Sequence, residues 1–344
     1  MKKLFVSLFL MFILCGCNSV ISSSNNEILT LFSSKTQSEN KIWIGTFQLV
    51  FNDMKNNILK KDIYFKGEEP TDDLKGLNNE EFNSSMLNEN SYYKSYGKTS
   101  FEARDKIKAD IKKKFNETSD IIDNLDWTPL EGKYYAYAML KKEFEFQEAF
   151  DKLEKSAFNN SEKEYEFFGI NAESKDSLDN NVKVLFYNNE NDYAVALNTK
   201  TGDKIYLYRT DENDTLKNQY EKLLSQKEKY SGITRFRKID TLKVPNMKFS
   251  KIRNYAELCN KVIKGTDYYF SDAIETIQFE LNNKGGKVKS EAIIMMMATA
   301  LAPSEAPKPR HFKYDKPFYM FLIDTDKTDP YMALRVYNLE NFVK

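Results

Sequence analysis

The chain has 344 residues, of which 41 % are hydrophobic and 14 % aromatic, enough to build a sizeable core in one large domain. Its 51 basic residues balance its 51 acidic ones, and neither half carries a basic face. That balance excludes the electrostatic footprint of a nucleic-acid-binding protein.

In chain order, Lys2 and Lys3 form a short positive segment before an apolar run from Leu4 to Leu14. Such a run has the length of a signal-peptide core and is too short to cross roughly 30 Å of hydrocarbon as a helix. It ends in Leu14-Cys15-Gly16-Cys17, which resembles the lipobox of bacterial lipoproteins, with Cys15 a less usual neighbour of Gly16. This reading makes residues 1–16 a cleaved signal and Cys17 the lipidated first residue of an exported protein. Two acyl chains there suffice for stable membrane anchoring. The abundant Lys and Asn beside Tyr, Phe and Ile resemble proteins of AT-rich genomes. The expected location is therefore the outer face of the cytoplasmic membrane, at a Gram-positive cell surface. Residues 17–40 are rich in Ser and Asn and read as a flexible tether reaching roughly 25–30 Å. Residues 41–344 are left as a single domain, expected to be monomeric.

Residues 42–54 read as a buried strand end running into a helix, and residues 67–98 as polar and turn-rich. Phe101, Ala103, Ile107, Ile111 and Phe115 recur at helical spacing and predict a helix over 101–115. Residues 134–146 read as one aromatic strand before a turn. Strands are expected at 182–187, 192–198 and 203–208, the last two forming a hairpin about Thr201-Gly202. A charged amphipathic helix follows at 216–230. Pro245 places the strand over 242–249 at an edge or an end. Tyr255 to Asn260 reads as helical, with Cys259 a buried thiol. Cys15 and Cys17 belong to export, so no intramolecular disulfide is available. Residues 274–281 alternate as a strand, and a glycine turn and a run of small residues follow. Residues 312–324 and 331–337 are two further strands about a polar turn. The sum is an α+β domain with helices mainly early and strands mainly late.

The chemistry-bearing motifs are few. His311 is the only histidine and lies in the extended Pro307-Lys308-Pro309-Arg310-His311, where a structural or solvent-facing role is expected. Zinc spacings, the nucleophile elbow, the Walker loop and the dinucleotide fingerprint are all missing from the sequence. No catalytic set, metal or cofactor is expected, and the chain does not read as a conventional enzyme.

Phe312 to Leu322, FKYDKPFYMFL, resembles the C-terminal signature of the serpin family. Met332 to Val336 is similar to that family's last strand, Val244 to Phe249 to an internal strand, and Tyr135 to Phe150 loosely to another family segment. The resemblance covers roughly residues 100–344. It implies large mixed and antiparallel sheets and an exposed reactive loop, here about Lys289 to Arg310. The loop is bait: a serine or cysteine protease attacks it and is trapped, and the cut loop inserts into a sheet as a new strand. The implied hinge is Ser290, Glu291 and Ala292, and the implied cleavage region includes Leu301, Ala302, Pro303, Ser304 and Glu305.

The departures from that pattern concern the inhibitory step. Ile293, Ile294 and Met295 to Met297 are bulky where inhibitory members carry small residues. Gly285-Gly286 lies upstream of the expected hinge glycine, whose place Lys289 holds, and Gly45 to Gln48 replaces an early gating segment. Two readings follow: a surface-anchored suicide-type protease inhibitor, or a non-inhibitory binding module on the same fold. A third is an unrelated solute-binding or envelope lipoprotein. Cys17→Ser should release the protein or block its processing while leaving the domain folded. Fractionation of cells with and without the substitution checks the anchor, which unchanged membrane association would disprove.

Overall fold

Residues 26–287 and 308–343 are described by a computed structural model. The chain enters on β1 (Asn26–Ile28), crosses to β2 (Asn40–Ile44) and turns into α1 (Thr46–Asp53), which a π-helical segment, Met54–Leu59, prolongs. α2 (Asp72–Asn78) starts where the Thr71 hydroxyl accepts from the Leu74 amide, with Asp72 and Asp73 in its positive first turn. β3 (Tyr92–Lys98) leads to α3 (Phe101–Phe115). Ser100 caps that helix by accepting from the Ala103 amide, and Asn116 ends it in the left-handed region. Ile107, Ile111 and Phe115 form its buried face.

β4 (Tyr134–Leu140), β5 (Glu143–Glu145), β6 (Asp151–Ala157) and β7 (Glu164–Ile170) follow. The meander β8 (Val182–Asn189), β9 (Asp192–Asn198) and β10 (Lys204–Arg209) leads into α4 (Leu216–Lys229). The remaining strands are β11 (Thr241–Pro245), β12 (Met247–Asn254), β13 (Ile274–Asn282), β14 (Gly285–Lys287), β15 (His311–Lys313), β16 (Phe318–Ile323) and β17 (Pro330–Val336).

Seven of these strands form the central sheet, in the order β1-β2-β17-β16-β10-β9-β8. Every residue of β16 and β17 is buried, because both faces of the sheet are covered. Tyr220 of α4 packs on Phe321 from one side, with ring centroids 5.0 Å apart, and Phe158 packs on Phe318 at 6.2 Å. A strand buried on both faces needs a continuous apolar run rather than an alternation, and FYMFLI supplies one. Two four-stranded sheets, β15-β11-β7-β6 and β12-β13-β14-β5, and the ribbon β3-β4 complete the fold. The expected α+β class, with most helices early, describes this architecture.

Several expectations are corrected. Residues 26–40 are not tether: β1 pairs in parallel with β2, and Leu29 and Leu31 are buried in the core. Residues 134–146 are two strands, β4 and β5, assigned to different sheets. Residues 242–249 likewise divide at Asn246, and Pro245 ends β11, which lies inside its sheet between β15 and β7. Cys259 is half-buried and extended, just after a 3-10 turn, Ala256–Leu258. Residues 67–98 include α2 and β3, and β6 and β7 carry no expectation from the sequence. Phe321 is fully buried at the centre of the largest sheet. Phe321→Ala should destabilise the domain by about 3–5 kcal/mol, read from urea unfolding.

Candidate functional site

The two sheets that hold β4 and β13 stop short of one another. Among the described residues β4 pairs only with β3, and β13 pairs along its length with β12. On its other edge β13 meets β14 only at residues 280–282. Ala136 to Leu140 of β4 and Ile274 to Glu280 of β13 therefore flank a cavity of about 500 Å3. Its inner wall is Ile44, Phe47, Val50, Phe51 and Met54, on and beside α1, and Ile121, Leu125 and Trp127 line it from the segment after α3. A hydrogen bond from the Gln278 amide to Asp120, 2.9 Å, ties that segment to the exposed face of β13.

One end of the gap is already closed by chain. β13 turns back at Asn283-Lys284, and β14 lies antiparallel between β13 and β5, with Lys287 opposite both Glu280 and Glu143. Gly285 has φ +151°, and a Cβ there would stand 2.1 Å from the Phe144 carbonyl oxygen. At Gly286 a Cβ would fall 2.5 Å from the Phe144 ring. Only glycine lets the chain fold back so closely against β5. Because β14 is antiparallel to both neighbours, β5 and β13 run parallel, and a strand between them must be antiparallel to each.

Inside the slot stands one buried carboxyl group. Glu275 points inward from β13, and its two oxygens accept from the Phe47 amide (3.0 Å) and the Tyr255 hydroxyl (2.9 Å). It thereby caps the start of α1, where Gly45 offers no side chain. Phe47 and Tyr255 stack with centroids 3.6 Å apart, and Arg253 lies over the Tyr255 ring at 4.3 Å. Burial raises the Glu275 pKa to about 7, against the opposing pull of these hydrogen bonds and of Arg253.

Cys17, Ser290, Glu291, Ala292, Leu301, Ala302, Pro303, Ser304 and Glu305 lie outside the described residues. The described chain resumes at Lys308, and its return is clamped. The Lys308 carbonyl accepts from Arg237 (2.7 Å), and the Arg310 guanidinium reaches Asp240 (2.7 Å) and the carbonyls of Ile233 and Arg235. Burial pushes the Asp240 pKa up, but Arg237 and Arg310 outweigh it and hold the carboxyl below its usual range. His311 is half-buried in β15, its Nδ1 3.0 Å from the Thr241 hydroxyl, in a structural setting. The slot itself carries no sequence signal beyond the Asn-Asn-Lys-Gly-Gly turn, because its walls come from four distant segments.

No family model and no curated protein matches the chain. Among solved structures it is similar to Serpin48, a highly specific serpin of the insect Tenebrio molitor. That match has 13 % identity and a TM-score of 0.43, over 75 % of this chain and 79 % of the other. It is also similar to thyroxine-binding globulin in complex with thyroxine, with 12 % identity and a TM-score of 0.43, over 69 % of this chain and 65 % of the other. The likeness is one of general chain arrangement and says nothing of activity.

Glu275 gives the slot a titration of its own. Its ordinary value is 4.5, so the folded state keeps the proton to higher pH than the unfolded chain does. Its contribution is fully present below that value and is lost as pH rises through the folded value, flattening above it. The loss should be roughly 3 kcal/mol. Glu275→Gln should abolish it, so unfolding curves of the two proteins should diverge between pH 5 and pH 8, in a window set by the folded value of about 7.

Proposed function

We propose that this chain is a surface-anchored, serpin-like protein whose slot receives its own loop after a serine or cysteine protease cuts it between Leu301 and Ala306. The observation that carries this reading is β14, a strand already begun in the gap between β13 and β5. Continued in the same register, residues 288–293 would stand opposite 279–274. Val288, Ser290 and Ala292 would then share the inward face with Phe279, Ile277 and Glu275, which are buried. Lys289 and Glu291 would face outward beside Gln278 and Thr276. Small or apolar inward residues and charged outward ones are the pattern that a strand with one buried face requires. Such a strand would also supply backbone partners to the facing edges of β4 and β13.

A second reading, the non-inhibitory binding module, rests on two features. The next residues, Ile293 to Met297, are bulky, and the segment tied by Asp120 to Gln278 lies against the cavity they would enter. Bulk and a strap both slow threading, and a slow loop gives the acyl-enzyme time to hydrolyse and release the protease before it is trapped. Incubation with a panel of serine and cysteine proteases separates the two. An adduct that survives SDS supports the inhibitor, and clean cleavage without adduct supports the module. If the loop inserts, as the inhibitor requires and a non-inserting module does not, cutting within 301–306 should raise the melting temperature by about ten degrees or more in the wild type, on the order expected when an open sheet gains a strand. It should do so far less in Gly285→Val, whose side chain cannot fit beside Phe144. No rise in the wild type would overturn insertion.

A further inference from the structure

A second cluster, unconnected with the loop, lies at the corner between β4 and β5. Lys142 sits in the two-residue link there and is buried to 2 % exposure. Its Nζ meets Oδ1 of Asp203 and, at 2.6 Å, Oδ1 of Asp324. Asp203 immediately precedes β10 and Asp324 immediately follows β16, and both are buried. The Tyr331 ring lies 5.3 Å from Nζ, and its hydroxyl has no hydrogen-bond partner among the described residues. A buried ammonium between two buried carboxyl groups leaves one acid in excess, so the neutral form of the cluster holds one extra proton.

The surroundings decide which acid holds it. Asp203 accepts at Oδ2 from the Thr201 hydroxyl, 2.8 Å, and Lys142 faces its other oxygen. Burial raises its pKa above the ordinary range, against the pull of Lys142 and Thr201. Asp324 is wrapped in donors: the Asn88 amide nitrogen and side chain, the Ser91 hydroxyl, the Thr325 amide and Lys142. Burial pushes Asp324 up as well, but Lys142 and these donors outweigh it and hold it below the ordinary range. The cluster thus brings the lysine nitrogen into contact with two unlike carboxyl groups, Asp203 with few donors and Asp324 wrapped in them, all shielded from water. These are the groups an amide condensation needs: an electrophilic acid, a nucleophile, and a base that moves the proton.

We propose that Lys142 and Asp203 are joined by an intramolecular isopeptide bond, with Asp324 as the proton-transfer group. Oδ1 of Asp324 takes one proton from the Lys142 ammonium and frees the nitrogen lone pair. The nitrogen attacks Cγ of protonated Asp203, and charge develops on Oδ2, where the Thr201 hydroxyl donates. A second proton of the nitrogen passes through Asp324 to the Asp203 hydroxyl, which leaves as water. One C–N bond forms, one C–O bond breaks, and nothing is oxidised or reduced. Asp324 ends with one proton, and the overall charge of the cluster is unchanged.

The bond would link residues 61 apart in sequence and fasten the β4–β5 corner of the slot to the seven-stranded sheet. Covalent closure of a long loop restricts the unfolded chain as a disulfide does. Among the described residues Cys259 is the only cysteine, so the domain has no disulfide to serve that purpose.

Mass spectrometry of the full chain tests the proposal. The wild type should be lighter than its sequence by one water, about 18 Da, and a digest should yield one branched peptide carrying Lys142 and Asp203. Lys142→Arg and Asp203→Ala should each have full mass and a lower melting temperature. Asp324→Asn, which keeps the shape of the cluster, should also have full mass although both bonding residues remain. A wild type of full mass, or one whose water loss maps to a cyclised aspartate elsewhere, overturns the bond. Bond formation in Asp324→Asn overturns the role given to Asp324.

Discussion

The structure depends on one unmet demand of the backbone. Peptide N–H and C=O groups taken out of water need partners, and the facing edges of β4 and β13 find none across the slot among the described residues. The two strands do not close the gap themselves. α1 fills the space behind them with Phe47, Val50 and Phe51, and Glu275 fastens β13 to the start of that helix. The apolar lining makes water a poor substitute for a strand. A short antiparallel strand, β14, satisfies β13 at one end by bridging it to β5, and leaves the edge of β4 open.

Two kinds of fastening hold the slot in shape. On the β13 side they are titratable or polar: Glu275 behind the strand and the hydrogen bond from Gln278 to Asp120 in front. On the β4 side they are buried and ionic, through Lys142 and the paired acids at the head of β10 and the tail of β16. A hydrogen bond half open to water is broken cheaply, whereas separating a buried ion cluster exposes uncompensated charge. The tie from Gln278 to Asp120 is therefore the most readily broken of these fastenings, while Glu275 and the lysine cluster both hold from buried positions.

What was legible in the sequence follows the range of the forces involved. The helix over 101–115 is legible to the residue because the stripe of Phe101, Ala103, Ile107, Ile111 and Phe115 is a local signal. β9 was equally plain, as a run of small and branched apolar residues between turn formers. β6 was hidden because it is an edge strand, DKLEKSA, whose charges suit solvent and leave no alternation to see. The break between β11 and β12 was hidden because both halves are good strands and only tertiary packing sends them to different sheets. The slot and the lysine cluster were invisible for a stronger reason. A chain with 51 acids and 51 bases offers no means of telling which few are buried together.

The correction at the N-terminus tightens the proposed anchoring. With β1 starting at Asn26 and Leu29 and Leu31 in the core, the stretch between a lipidated Cys17 and the domain is residues 18–25. If those residues act as the tether expected from the sequence, they would span on the order of 15 Å, about half the reach of a tether running to residue 40. A domain held so close would keep its loop near the bilayer. A large protease in solution would meet that surface less freely than one embedded in, or bound to, the same membrane. If the chain is anchored through Cys17 and traps proteases, such an anchor would select among them by location before the loop selects by sequence.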